Sequence, residues 1–129
     1  MIVARYRGAG IDLATFQATA RQYLEQAGWE VKKVVQGARS FEIQAKKGFM
    51  GKVRVVVRGV PEDVYVEVVG SDEADVMDLV ERAAADSASN PAAVENWRLQ
   101  LQERAARAAA QVLSVLSRAP FPFAATAPT

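Results

Sequence analysis

The side chains that could do chemistry in this 129-residue chain are acidic, basic, hydroxyl or phenolic, because the sequence has no histidine and no cysteine. Imidazole-based triads, thiolate nucleophiles, disulfides and His/Cys zinc sites are therefore excluded. Acid–base catalysis would depend on Asp, Glu, Lys or Tyr, and no motif holds two of these groups in one pocket. We expect a protein that is not an enzyme, with no cofactor, no metal and no small-molecule substrate.

The acidic residues between 72 and 81 are the strongest candidates for metal chemistry. Asp75 and Asp78 are three residues apart on a predicted helix, so both carboxylates share one face and could hold Mg²⁺ in a metal-dependent enzyme. No EF-hand loop accompanies them, and acids near a helix start are also explained by the positive end of the helix dipole. The second explanation is favoured, so neither residue is predicted to be a metal ligand.

A basic sheet face is the second candidate site. Its predicted members lie on neighbouring strands and are Lys32, Lys46, Lys52, Arg54, Arg58 and Tyr65. Such a face could contact phosphates while Tyr65 stacks on a base, which makes nucleic acid the alternative partner. A solvated face, with Glu42 and Glu67 neutralising their cross-strand neighbours, is the competing explanation and is favoured.

Phe49 and Met50 form an apolar pair in a predicted hairpin turn flanked by Lys46, Lys47 and Lys52. The turn could fold back over the helices, dock on a partner, or enter a bilayer interface with the lysines at anionic head groups. Contact with a partner is favoured over a membrane surface, so Phe49 and Met50 are candidate interface residues.

The elements that must position these residues follow from hydrophobic periodicity. A short N-terminal edge strand precedes an amphipathic helix over residues 13–27, and Ser71 is the predicted N-cap of a second helix. Four strands lie between these helices, at roughly 29–36, 40–47, 52–58 and 63–69. This order predicts an α+β fold, in which helices pack on one face of an antiparallel meander of four to five strands.

The loops predict how the strands pair. The turn around Phe49 pairs Ala45 with Val53, and a four-residue loop over 59–62 pairs Val57 with Val64. Both pairings place the apolar side chains on the same face. The first hairpin fits less well, and a bulge or longer loop at Gly37 would place Lys32 and Val34 on the basic face.

The last predicted element is a long helix over residues 91–118, of roughly 42 Å at 1.5 Å per residue. Its apolar positions recur every eleven residues, as from Leu101 to Val112, which keeps the stripe nearly straight. The sheet is too short to cover the whole stripe, so we expect a homodimer formed through this helix. The candidate interface residues are Ala105, Ala108, Val112, Val115 and Leu116. The competing possibility is a bend within residues 105–110 that folds both halves onto the chain's own sheet.

Charge is segregated along the chain. Residues 1–60 carry 11 basic and 4 acidic side chains, a net charge of +7, whereas residues 61–90 carry 1 and 9, a net charge of −8. Opposite charges attract within one chain or between two copies. We expect one α+β domain over 1–118 and a flexible Pro/Ala/Thr tail over 119–129. The absence of an ~18-residue apolar run or a secretory signal predicts a cytoplasmic location. The long final helix predicts a binding or assembly module that self-associates.

Overall fold

The computed structural model describes the backbone of residues 1–118 and the side chains of residues 1–97 and 105–113. The predicted tail over 119–129 lies outside the described residues. The chain divides into two units, Met1–Trp97 and Arg98–Thr129. No helix in the described part of the chain is both long enough and apolar enough to cross a membrane.

The first unit has an α+β fold built on a five-stranded antiparallel sheet in the order β1-β5-β4-β3-β2. The strands are β1 (Ile2–Arg7), β2 (Glu30–Gln36), β3 (Ser40–Lys47), β4 (Gly51–Val60) and β5 (Asp63–Gly70). The helices are α1 (Leu13–Gln26), α2 (Glu73–Asp86) and α3 (Ala92–Arg118), and α3 crosses from the first unit into the second. The predicted α+β class and antiparallel sheet are confirmed.

The core lies between the sheet and the helices α1 and α2. Alternate residues of the central strands, such as Ile43, Val55 and Val66, are fully buried, as expected for a strand with one covered face. Phe16 of α1 meets Phe41 of β3 edge to face, with ring centroids 5.2 Å apart. The apolar spacing of the helices and the period-two pattern of the strands therefore converge on one layer of packed side chains.

The predicted pairing of β3 with β4 is confirmed, since Ala45 lies opposite Val53. The predicted pairing of β4 with β5 is wrong by two residues, because Val57 lies opposite Val66 and not opposite Val64. The reason is the length of the turn: β4 continues to Val60, which pairs with Asp63 and leaves a two-residue connection. A shift of two residues keeps each side chain on its predicted face, so the predicted core survives.

The bulge in the first hairpin lies at Lys32, between Val31 and Lys33, and not at Gly37. This position turns Val31 towards the core face, opposite Ala45, and also places Val34 opposite the buried Ile43. The prediction that Val34 shares the basic face is therefore wrong. On the opposite face β2 presents Lys33, which pairs with Gln44.

The N-cap of α2 is Asp72, with a left-handed φ of 53°, and not Ser71 as predicted. The Ser71 hydroxyl instead accepts a hydrogen bond from the Lys52 amide at 3.3 Å. Glu73 links the end of β5 to the N-terminus of the chain. Its carboxylate accepts a hydrogen bond from the Gly70 amide at 2.8 Å and forms an ion pair with the N-terminal ammonium at 2.7 Å.

Substitution of Gly70 tests how tightly β5 fits against β4. Gly70 has a φ of 131°, and a Cβ there would lie 2.2 Å from the Lys52 carbonyl oxygen. We expect Gly70→Ala to lower the free energy of unfolding by about 3 kcal/mol, because strained backbone and a backbone clash combine. Gly48→Ala is the control: its φ is 63° and no atom lies within 4 Å of the added Cβ, so a loss of only about 1 kcal/mol is expected. Equal losses in urea denaturation would contradict this account.

Candidate functional site

The outer face of the sheet is the face opposite α1 and α2. It carries alternate residues of all five strands, and most of them are polar or charged. The register aligns these residues into rows across the sheet, among them Arg5–Tyr65–Arg58 and Lys33–Gln44–Arg54. Each charged side chain that is paired in this register has defined cross-strand neighbours, which decide whether its charge is neutralised.

Tyr65, Arg58 and Glu67 form one network on the outer face. The Tyr65 hydroxyl donates a 2.8 Å hydrogen bond to Glu67, and the Arg58 guanidinium lies 5.2 Å over the tyrosine ring. Arg58 also approaches the Glu67 carboxylate at 3.8 Å. One side of the ring is therefore covered by a cation, which reduces the surface that Tyr65 offers to a stacking base.

Two further ion pairs neutralise basic residues of the outer face. Arg5 donates two hydrogen bonds to Asp63, at 2.9 and 2.7 Å, and this contact lowers the pKa of the Asp63 carboxyl. Arg54 approaches Glu42 at 3.2 Å. Over this part of the face, positive and negative groups alternate, as expected of a solvated surface.

The basic corner, defined here as Lys32, Lys46, Lys52 and Arg54, lies where β2, β3 and β4 approach the β3–β4 turn. Lys46 and Lys52 are directly opposed in the ladder, and opposed like charges are unfavourable. Lys32 binds Glu30 at 2.7 Å, and the pKa of Glu30 is lowered mainly by Lys32 and slightly by Lys46. Across the described side chains, neither Lys46 nor Lys52 forms an ion pair with a carboxylate.

The basic corner surrounds a concavity of about 630 Å³ on the outer face. The rest of its lining consists of Gln44, Ala45, Val53, Val69 and Gly70. Arg58 is four residues along β4 from Arg54, or about 13 Å at the usual rise per residue, and does not line the concavity. The structure thus brings together four of the six predicted nucleic-acid residues and places Arg58 and Tyr65 elsewhere on the face.

The positions of Val69 and Gly70 beside the basic corner were not predicted from the sequence, because they depend on the β4–β5 register. The predicted register sets Glu67 beside Arg54, whereas the observed register sets Val69 there and moves Glu67 opposite Val56. This shift removes a carboxylate of β5 from the concavity. The sequence would have predicted this register only if the β4–β5 turn had been given its correct length of two residues.

The hairpin tip consists of Gly48, Phe49 and Met50, because Lys47 already pairs with Gly51. Phe49 is 88% exposed and Met50 is 79% exposed, so neither side chain folds back over the helices. The base of the tip is held by Lys47, whose ammonium lies 5.6 Å over the Trp29 ring. Two large apolar groups are therefore presented to solvent, each within two to four residues of Lys46 and Lys52.

Asp75 and Asp78 are exposed on α2. Among the described residues, no group of three or more carboxylates is placed to hold a metal ion. The acidic region instead meets the basic region inside the chain, through Arg5–Asp63, Arg58–Glu67 and the N-terminal ammonium with Glu73.

The candidate interface residues of α3 are described only in part. Ala105 and Ala108 are exposed, and Val112 is 58% exposed. The side chains of Val115 and Leu116 lie outside the described residues. The neighbouring Leu113 is 65% exposed, so this stretch of α3 presents apolar surface to solvent.

The Tyr65–Glu67 hydrogen bond predicts a pH effect. The bond stabilises the protonated phenol and raises the pKa of Tyr65 above its usual value of 10.0. Its contribution to folding is fully present below pH 10 and is lost as the pH rises through the raised pKa. The difference between absorbance titrations of the native chain and Tyr65→Phe isolates this phenol. We expect Glu67→Ala to lower its pKa, and an unchanged titration would contradict the hydrogen bond.

Comparison with known proteins identifies no relative of the chain: no family model matches the sequence, and no curated protein matches it. The basic corner, the hairpin tip and the exposed stretch of α3 must therefore be interpreted from their own geometry and charge.

Proposed function

We propose that the protein is a non-enzymatic intracellular binding or assembly module that self-associates as a homodimer through α3. The observation that supports this proposal is the exposure of Val112, at 58%, on a helix that also exposes Ala105 and Ala108. In the sequence these residues belong to one stripe, since Ala108 and Val112 are four apart. A valine on such a stripe gains about 1.5–3 kcal/mol when it becomes fully buried.

The small side chains of the stripe favour a helix partner. Ala105 and Ala108 would let a second helix approach closely, while Val112 fills the space between the two backbones. A two-fold axis would place the same stripe on both copies, and closed two-fold dimers are the commonest symmetric assemblies. The contact is mainly apolar, because the ion pairs that join the basic and acidic regions form within the chain.

Light scattering of the full chain tests this proposal. We expect twice the chain mass of 14.0 kDa for the native protein. The double substitution Ala108→Glu with Val112→Glu should halve that mass, because two carboxylates of each chain would be buried without partners in the dimer. The far-UV circular dichroism signal of the sheet should persist.

The matched control is Ala106→Glu with Ala110→Glu. Both residues are exposed, are four apart like the test pair, and lie on the opposite side of the helix at 100° per residue. The control adds the same charge and should leave a dimer intact. A native protein of 14.0 kDa would contradict the proposal, as would loss of the dimer in the control. Unfolding of the test variant would show that the stripe belongs to the chain's own core.

A further inference from the structure

We propose that the basic corner and the hairpin tip together form a docking surface for an anionic phospholipid bilayer. The ammonium and guanidinium groups of the corner would contact phosphate-bearing head groups, while Phe49 and Met50 enter the interfacial layer. This inference does not rest on self-association, because every residue it uses lies in the first unit.

The charge of the basic corner favours an external anion. Lys46 and Lys52 face each other across the ladder, and no described carboxylate forms an ion pair with either. Their mutual repulsion is relieved when a phosphate lies between them. The concavity of about 630 Å³ gives such a group room beside Lys32 and Arg54.

The hairpin tip supplies the apolar half of the surface. Phe49 and Met50 are 88% and 79% exposed, although large apolar side chains are usually buried. Lys46 and Lys52 form the pair next to Lys47 and Gly51, which close the tip. The apolar tip therefore extends beyond the cationic side chains. A bilayer interface has the matching order, because acyl chains lie beneath anionic head groups.

The same geometry disfavours a nucleic-acid strand, because its backbone needs basic groups along a continuous track. The outer face interrupts that track with Glu42, Glu67 and Asp63, each of which holds a basic neighbour. Tyr65 has one ring face covered by Arg58. Lys46 and Lys52 form no ion pair among the described side chains and lie together at one corner, so a head-group surface fits better than a strand that crosses the sheet.

Vesicle flotation of the full chain tests the proposal. The native protein should float with phosphatidylcholine vesicles that contain about 30% phosphatidylserine and should not float with neutral vesicles. Phe49→Ser with Met50→Ser, and separately Lys46→Glu with Lys52→Glu, should each lower the partition coefficient at least tenfold. Binding should also weaken as salt rises above ~0.1 M, where the screening length falls below ~10 Å.

Each variant has a matched control on the same sheet. Arg7→Glu with Arg39→Glu makes the same change in charge, and both residues are exposed at the end of the sheet away from the tip. Val35→Ser with Val60→Ser removes two exposed apolar side chains, of 47% and 41% exposure, away from the tip. Both controls should bind within twofold of the native protein.

Several outcomes would overturn the proposal. They are failure of the native protein to bind anionic vesicles, equal losses in a variant and its control, and full binding by the Phe49→Ser, Met50→Ser chain. Binding of a mixed single-stranded oligonucleotide that is lost in Lys46→Glu with Lys52→Glu, without vesicle binding, would assign the corner to nucleic acid instead.

Discussion

Burial of one face of the sheet under α1 and α2 is the constraint on which the other features depend. The buried side chains of β4 and β5 are six valines, at positions 53, 55, 57, 64, 66 and 68. A one-residue slip between these strands would expose one set of three, at a cost on the order of 5 kcal/mol. That is a large fraction of the ~5–15 kcal/mol by which a domain is stable. A two-residue slip keeps the same valines buried, so the helices alone do not exclude it.

The choice between registers that bury the same residues has consequences only on the outer face. There it decides which charges become neighbours. The observed pairing sets Glu67 opposite Val56, within reach of Arg58 and Tyr65, and sets Val69 beside Arg54. The charges of Arg58 and Glu67 are consequently paired with each other, whereas Lys46 and Lys52 near the hairpin tip form no ion pair among the described side chains.

The two surfaces that we assign to partners differ in their physical chemistry. The exposed stretch of α3 is apolar and contains small residues, which suits a close helix–helix contact. The basic corner and the hairpin tip combine cations with Phe49 and Met50, which suits a boundary between water and acyl chains. The two proposals are compatible, because the exposed stretch of α3 would form the dimer, while the basic corner and the hairpin tip would bind that dimer to a bilayer. Two copies on one bilayer would bind more tightly than one through avidity.

The sequence by itself determined the element types, their order and the core residues of β3, β4 and β5, because period-two and helical patterns record burial directly. It also determined the chemistry that is absent, since a chain without histidine or cysteine excludes whole classes of site. Only the tertiary structure decided the β4–β5 register, the bulge at Lys32 and the exposure of Phe49. The physical reason is that these features depend on turn length and on backbone geometry at single residues. The β4–β5 register leaves the set of buried side chains unchanged, whereas the bulge at Lys32 moves Val34 to the core face. Both decide which charges and apolar groups meet solvent.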